Sequence, residues 1–236
     1  MSDPTTRRSF LGATATAAVA AAWAGGRTYA AGASSGAGPN DTINVGLIGC
    51  GGRGRYLLSR FQKLPGVRIV AVADINDPRT ASVREQAGGE RVQAFHDYRK
   101  LLEIKDMQAV IVATNKHWHA LPTVHACQAG KDVYIEKPLA HSIGEGRAIV
   151  QAAEKYNRIV QVGTQQHSTQ HYQEAVEIIR SGELGEISEV KVWDYENQYP
   201  GWGSPPDCDP PAGLDWDFWL GPAPKVPYNP NYFLHD

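Results

Sequence analysis

The sequence predicts an α/β protein built on a doubly wound parallel sheet. Two observations predict this class. From residue 42 to residue 163, short apolar runs alternate with stretches of helical pattern, an order typical of parallel strands joined by crossover helices. The first apolar run, residues 43–48, leads directly into the glycine-rich turn 49–54, which opens the next helix. After Gly163 the alternation stops, which predicts a domain boundary there.

The other elements of the sheet follow from local pattern. Apolar runs predict further strands at residues 67–73, 92–95, 107–113, 132–135 and 159–162. Helical patterns fill the intervals, at residues 52–63, 78–87, 98–104 and 118–129, and from an N-cap at Ser142 to about residue 157. Glu145 lies three residues after Ser142, as a capping box requires. A helix therefore separates every pair of consecutive strands, as parallel pairing demands.

Beyond residue 163 the pattern predicts one helix, residues 169–180, and one strand, residues 187–195. Four apolar residues are expected to form the buried side of this helix: Ala175, Val176, Ile178 and Ile179. After residue 200 frequent prolines preclude long regular elements. A lone strand here has no sheet to join, so we expect either that the chain is the front part of a longer protein or that a partner chain completes the sheet.

The glycine-rich turn has the spacing G-x-G-x-x-G. Gly49 would form the tight turn out of the strand, Gly51 would let the backbone approach a pyrophosphate, and Gly54 would let the next helix pack closely. Asp74 ends the second apolar run, twenty residues after Gly54, where an acid would bind the hydroxyls of an adenosine ribose. The pattern predicts a Rossmann-type dinucleotide site. The alternative is a structural turn with an unrelated aspartate at the end of a strand.

Composition favours a soluble globular protein. The chain of 236 residues is 42% apolar and 20% charged, with a net charge of −2 and no basic run, which argues against nucleic acid as a partner. Three cysteines do not suggest a disulfide framework. His167 and His171 could share a helix face, but they lack a neighbouring Cys or carboxylate pattern, so no metal site is predicted.

Residues 1–33 are predicted to be a leader that is not part of the fold. Arg7 and Arg8 precede a mildly apolar, alanine-rich run, which resembles a twin-arginine export signal. This run is too short to remain as a membrane span, so the mature protein is expected in the periplasm or otherwise exported, without a stable span. Residues 34–41 are predicted to be a flexible linker. A disordered Ala/Gly-rich tail is the alternative for residues 1–33.

Several of these motifs together resemble the Gfo/Idh/MocA oxidoreductase family. They are the twin-arginine leader, the run from Gly46 to Gly54, Asp74, His117-Trp118-His119-Ala120 and Glu136-Lys137-Pro138. The resemblance implies an NAD(P)-binding Rossmann domain at residues 42–163. It also implies a second, mainly antiparallel α+β domain for substrate and oligomer contacts, of which residues 164–236 would be an incomplete beginning. A sugar or polyol substrate and a homo-oligomer formed through that second sheet are implied as well.

The resemblance also assigns roles to individual residues. Asp74 is similar to the ribose-binding acid, and the apolar Ile75 after it favours NAD, although the nearby Arg79 leaves NADP open. Lys137 is similar to an active-site lysine, Glu136 to a contact of the nicotinamide ribose, and His119 to a histidine beside the cofactor. The complete predicted cofactor set is Gly49, Cys50, Gly51, Gly52, Arg53, Gly54, Asp74, Ile75, Thr114, Asn115, His119, Glu136 and Gln165.

Lys137 and His119 are the predicted catalytic residues. Oxidation of a carbinol needs a base for the hydroxyl proton and a donor for the developing alkoxide, and Lys137 follows a strand at the crevice where either role is possible. The alternatives are a surface lysine paired with Glu136, and a capping or core histidine at His119. Two other functions also remain open: an NAD-dependent glycosidase or lyase that uses transient oxidation and elimination, and a non-catalytic nucleotide-binding fragment.

Overall fold

The computed structural model describes residues 42–193, 201 and 203–233. The predicted leader (residues 1–33) and linker (residues 34–41) lie outside these described residues. The last part of the predicted strand 187–195 also lies outside them.

A six-stranded parallel sheet forms the centre of the fold, as predicted. Its strands are β1 (Ile43–Ile48), β2 (Val67–Ala73), β3 (Gln93–Phe95), β4 (Ala109–Val112), β5 (Asp132–Glu136) and β6 (Val160–Gly163). They lie in the order β3-β2-β1-β4-β5-β6, and each neighbouring pair is parallel. Strand order reverses between β1 and β4, so a crevice is expected at their carboxyl ends.

The helices lie close to their predicted positions. They are α1 (Gly52–Phe61), α2 (Asp77–Ala87), α3 (Tyr98–Leu102), α4 (Ala120–Gln128), α5 (Ile143–Lys155), α6 (Gln170–Ser181) and α7 (Trp216–Leu220). The predicted helix 118–129 is divided into a 3-10 turn, Lys116–Trp118, and α4. At the start of α5, Ser142 and Glu145 form the expected capping box.

The core consists of two apolar layers, one on each face of the sheet. Alternation along the strands separates them: Leu47 and Ile111 face one layer, whereas Ile48 and Val110 face the other. The first layer is completed by Leu57, Leu58 and Val83 from α1 and α2. The second is completed by residues of α3, α4 and α5, which include Leu101, Ala126 and Ile149. Because helices cover both faces of the sheet, its strands are continuous apolar runs, and the sequence therefore predicts them.

Two predictions beyond residue 163 are wrong. Helix α6 forms, but its predicted buried side is exposed: Val176 is 41% exposed and Ile179 is 52% exposed. Residues 187–193, the described part of the predicted strand 187–195, contain no strand. Alternation alone cannot make a strand, because its backbone groups need a neighbouring strand, and the described residues provide none at this point.

The chain instead returns to the sheet through residues 211–221, here called the return segment. Leu214 forms an isolated antiparallel bridge with Asn76, directly after β2. Main-chain hydrogen bonds on both sides strengthen this bridge: Asp77 N donates to Gly213 O (2.9 Å), and Asp215 N donates to Ile75 O (3.1 Å). Leu214 and Leu220 are buried. The return segment thus lies at the carboxyl edge of the sheet, beside the predicted dinucleotide site.

Candidate active site

The glycine-rich turn between β1 and α1 allows a very close approach of main chain. Gly49 has φ +97°, and a Cβ there would lie 2.6 Å from the Ala113 carbonyl at the end of β4. A Cβ on Gly54 would lie 2.0 Å from Gly49 O, so only glycine lets α1 approach the turn. No side chain caps α1, and its first turn contains no acidic residue. Its N-terminal N–H groups therefore form a favourable site for an anion.

Asp74, after β2, is held by main-chain donors. Its Oδ2 accepts from Cys50 N (2.5 Å), and its Oδ1 accepts from Asn76 N (2.9 Å). Burial raises the pKa of the Asp74 carboxyl, while these hydrogen bonds and the charge of Arg79 oppose that rise. Cys50 contributes its main-chain N–H here, whereas its thiol is buried in the core, where burial raises the thiol pKa. Asp74 thus connects the glycine-rich turn to the end of β2.

A cavity of about 210 Å³ lies between the glycine-rich turn, the end of β2 and the return segment. Eight residues predicted from the sequence line it: Gly49, Gly51, Gly52, Arg53, Asp74, Ile75, Thr114 and Asn115. Its opposite wall is aromatic, with Tyr98, Trp118, Phe218 and Trp219. We call this the first cavity. Cys50 and Gly54 do not line it; their contributions are the bond to Asp74 and the close packing of α1.

A second cavity, of about 730 Å³, adjoins the first. The two share Arg53, Thr114, Asn115 and Trp219 among their lining residues. The second cavity brings together the remaining predicted residues, at the ends of β5 and β6 and in the turn before α4: His119, Glu136, Lys137 and Gln165. The crevice therefore has two connected lobes, one beside the start of α1 and Asp74, the other beside Lys137. Such a shape suits a two-part ligand such as a dinucleotide.

Glu136 forms an ion pair with Arg53, not with Lys137. The Glu136 side chain is buried, and its Oε1 accepts from Arg53 Nε (2.7 Å) and lies 2.7 Å from Arg53 Nη2. Its Oε2 accepts from the main-chain N of Lys137 (3.0 Å). Lys137 is exposed on the wall of the second cavity, and its Nζ forms no ion pair among the described residues. The pairing of Lys137 with Glu136 that the alternative supposed is therefore not found among the described residues, whereas its surface position is.

His119 is almost completely buried, with 1% of its surface exposed. Its Nδ1 lies 2.5 Å from Pro138 O, and its Nε2 lies 2.9 Å from Thr114 O. Carbonyl oxygens only accept hydrogen bonds, so each ring nitrogen faces a main-chain acceptor, and a neutral imidazole has one N–H to donate to one of the two. The ring connects the ends of β4 and β5, which places it in the wall of the second cavity.

Sequence reasoning missed two features of the site. The first is the Arg53 side chain, which was expected only as part of the glycine motif but forms the ion pair with Glu136. The second is the aromatic wall, since neither Phe218 nor Trp219 was among the predicted site residues. The available signal was the concentration of aromatics at residues 216–219, between prolines that forbid a strand.

The residues present fit a dinucleotide. The uncapped start of α1 suits a pyrophosphate, and Asp74 suits ribose hydroxyls. The hydroxyl of Thr114, which lines both lobes, is buried and has no hydrogen-bond partner among the described residues. A polar ligand in the crevice would satisfy it. Within the same described residues, no cluster of three His, Cys, Asp or Glu is arranged to hold a metal ion, and no helix is long and apolar enough to cross a membrane.

Comparison with known proteins decides the family. The sequence profile of the Gfo/Idh/MocA oxidoreductases, described as a family with an NAD-binding Rossmann fold, matches residues 43–164, more than half of the chain. The chain belongs to the Gfo/Idh/MocA family. The matched region contains the whole parallel sheet and all but one of the predicted cofactor residues; Gln165 follows it directly. The family thus confirms the fold and the cofactor class that the glycine motif predicts.

Individual Gfo/Idh/MocA proteins show the same likeness. An inositol 2-dehydrogenase from Serratia proteamaculans is 37% identical over 61% of this chain and 43% of its own length. An NAD-binding oxidoreductase from Klebsiella pneumoniae is 28% identical, with a TM-score of 0.54, over 61% of this chain and 40% of its own. A 3-ketoreductase variant from Actinomadura kijaniata, in complex with TDP-benzene and NADP, is 26% identical, with a TM-score of 0.57, over 62% and 44%. This chain spans less than half the length of each.

Proposed function

We propose that this chain forms the cofactor half of an exported NAD(P)-dependent oxidoreductase that transfers a hydride between a nicotinamide and a sugar, polyol or derivative. The connected pair of cavities carries the proposal. One lobe offers the start of α1 and Asp74 for an adenosine diphosphate, and the other presents Lys137 where a nicotinamide and a substrate would meet. The substrate class follows from the inositol 2-dehydrogenase and 3-ketoreductase relatives.

Each part of the crevice has a separate task in this proposal. The first turn of α1 binds the pyrophosphate, and Asp74 accepts hydrogen bonds from the adenosine ribose. Thr114 and Asn115 lie between the lobes, under the middle of the dinucleotide. Gln165, after β6, lines the nicotinamide lobe. Bound there, the nicotinamide would accept or give the hydride itself.

Lys137 handles the proton that accompanies the hydride. In the oxidation of a carbinol, its neutral amine accepts the hydroxyl proton as the C–H hydride leaves. In the reverse direction, its ammonium donates a proton to the carbonyl oxygen. The Glu136 carboxylate binds the Arg53 side chain and the main-chain N of Lys137. The side-chain nitrogen of Lys137 therefore has no ion pair with its neighbour and can interact with a substrate.

His119 acts as a positioning residue in this scheme. Its ring holds the carbonyls of Thr114 and Pro138, which flank the two lobes. Using either nitrogen as a base would cost one of these contacts. The ring therefore fixes the separation between the middle of the cofactor site and the Lys137-Pro138 turn, and it does not exchange a proton with substrate.

Residues 164–236 begin the substrate domain in our proposal, and the exposed side of α6 supports this. Tyr172, Val176, Ile178 and Ile179 are each more than 40% exposed on one helix, an apolar face that a further layer would cover. Contacts through that domain would form a homo-oligomer. We also propose that residues 1–33 direct export to the periplasm by the twin-arginine route and are then removed.

A second candidate, a glycosidase or lyase that oxidises its substrate transiently, is favoured by the return segment. Such an enzyme keeps one NAD through many cycles, and Phe218 and Trp219 of the return segment line the first cavity, where they would hinder exchange. Release of sugar from a glycoside without net formation of NADH would support this candidate. Net NADH formation with free polyols would support the dehydrogenase.

Cofactor binding by the chain without residues 1–33 tests the proposal most directly. We expect one dinucleotide per chain, measured by calorimetry and by nucleotide release on denaturation. Binding together with NADH formation from inositols or sugars would establish the oxidoreductase. Binding without any reaction in either assay, measured on a chain with a complete substrate domain, would favour a non-catalytic nucleotide-binding protein, and no binding by folded protein would contradict the proposal.

A further inference from the structure

The return segment is attached on both sides of the crevice. On the β2 side it forms the Asn76–Leu214 bridge. On the β4 side the Trp219 carbonyl oxygen lies 2.9 Å from both Trp118 Nε1 and His117 Nε2. The segment therefore spans the switch point of the sheet, above the predicted binding sites of ribose and pyrophosphate.

Close packing fixes the segment in this position. Asp215 caps α7 by accepting from Phe218 N (2.8 Å). Gly221 lies so near the Trp118 indole that a Cβ there would be 2.1 Å from the ring. Phe218 packs edge-on against Trp118, with ring centroids 5.3 Å apart. These contacts hold the rings of Trp118 and Phe218 in a fixed arrangement beside the crevice.

Phe218 and Trp219 are not core residues like Leu214 and Leu220. Both are only partly buried, and both line the first cavity, opposite Gly49 and Asp74. The same cavity is bordered by small apolar surfaces of Ala73 and Ala113. An aromatic wall, an apolar floor and one carboxylate at the edge are what an adenosine needs, because its base stacks and its ribose donates hydrogen bonds.

We propose that Phe218 and Trp219 are cofactor-binding residues that contact the adenine ring, and that the return segment retains the dinucleotide by closing over its adenosine half. The proposal rests on the NAD(P) site described above. It gives the aromatic residues of the return segment a role in cofactor binding, which the glycine motif does not predict. Since the segment bridges both sides of the crevice, we expect movement of residues 213–219 to accompany the departure of adenosine.

Matched substitutions in the full chain test this proposal. Trp219→Leu and Phe218→Leu remove the aromatic surface but keep an apolar side chain. Trp193→Leu is the control, because Trp193 is exposed, lies outside the return segment and lines neither cavity. Calorimetry with NAD, ADP-ribose and nicotinamide mononucleotide, and NADH release after mixing with excess NAD, provide the readouts.

We expect each cavity-lining variant to weaken NAD and ADP-ribose binding by about tenfold, the order expected for one lost stacking contact, and to accelerate NADH release. The Trp193→Leu control should change affinity by less than about twofold, and so should mononucleotide binding by Phe218→Leu, because Phe218 lines only the first cavity. Circular dichroism and melting temperature identify any variant that fails to fold, and the other cavity-lining variant then decides. Unchanged ADP-ribose affinity in folded variants would overturn the adenine contact alone. Failure of the unmodified chain to bind NAD would overturn the cofactor site and this proposal together.

Discussion

Arg53, on the first turn of α1, and Glu136, at the end of β5, form an ion pair across the mouth of the crevice. Glu136 is 3% exposed, and its Oε1 lies 2.7 Å from both Arg53 Nε and Nη2. The pair connects the start of α1 to the Lys137 side of the crevice. A charge buried to this extent depends on its partner, because water cannot replace it.

Removing Arg53 is therefore expected to destabilise the fold. We predict that Arg53→Ala lowers the free energy of unfolding by about 1–3 kcal/mol, the range for losing a charged hydrogen bond from a part-exposed pair. Urea denaturation measures this. Arg60→Ala, on the same helix, is the control and should cost less than about 1 kcal/mol. If the double variant Arg53→Ala/Glu136→Ala is no more stable than the sum of the single losses predicts, the two residues are not coupled.

Asp74 is expected to determine the choice between NAD and NADP. We predict that Asp74→Ser weakens NAD binding by about tenfold or more, since ribose loses a charged acceptor. NADP binding should weaken less or improve, because Arg79 lies near enough for its charge to act on Asp74 and lines the same cavity, where it would attract a 2′-phosphate. Calorimetry with both nucleotides measures the ratio. Asp106→Ser, at an exposed position away from the crevice, should leave the ratio unchanged.

How much of this site the sequence could predict depends on the range of the interactions. Gly49, Gly54 and Asp74 were predictable because a strand, a tight turn and a helix start impose local geometry at fixed spacing. The strands of the sheet were predictable because they are buried on both faces. The place of Phe218 and Trp219 was not, since it depends on a bridge between residues 76 and 214, far apart in the chain.

The same distinction explains the errors after residue 163. Helix α6 has a clear apolar side, so its existence follows from the local pattern, but burial of Val176 and Ile179 needs an opposing layer. The alternation at residues 187–195 likewise fits the pattern of a strand, but a local pattern cannot supply the neighbouring strand that its backbone hydrogen bonds need. Local pattern predicted the helix, and only long-range contacts could have decided the rest.

Lys137 is expected to be needed for chemistry and not for cofactor affinity. We predict that Lys137→Met reduces hydride transfer by at least about a hundredfold, the scale of acid–base catalysis, while NAD affinity changes by less than about threefold. Turnover and calorimetry on the same preparation separate the two effects. Lys63→Met, at an exposed position after α1, is the control. Turnover that survives in Lys137→Met would show that another group moves the proton.

His119 should affect geometry more than acid–base behaviour. We predict that His119→Ala destabilises the fold by about 1–3 kcal/mol, because a main-chain carbonyl oxygen, of Pro138 or of Thr114, loses its donor. The pH dependence of any remaining turnover should be unchanged, which is the result that separates a positioning role from a catalytic one. A pH profile that loses one limb in this variant would restore His119 as a catalytic residue.

We expect retention of the cofactor to depend on pH through His96. Its Nδ1 lies 2.9 Å from Asp77 Oδ1 on α2, and its Nε2 lies 3.3 Å from Asp215 Oδ2 on the return segment. The hydrogen bond to Asp77 chiefly raises the pKa of His96, aided by Asp215 and opposed by partial burial. Asp74 and Asp97 also lie within reach of its charge, and Phe218 packs against its ring.

Because the pKa of His96 is raised when the return segment is in place, protonated His96 stabilises the segment in that position. This stabilisation is full below the ordinary histidine range and is lost as pH rises through the raised pKa. We predict that NADH release accelerates as pH rises from the ordinary histidine range through the raised pKa of His96. His96→Gln should show a flat profile at the faster rate, and His141→Gln, at an exposed position before α5, should retain the dependence. Stopped-flow displacement with excess NAD measures the rate. An identical pH profile in His96→Gln would mean that the bridge between Asp77 and Asp215 does not hold the segment closed.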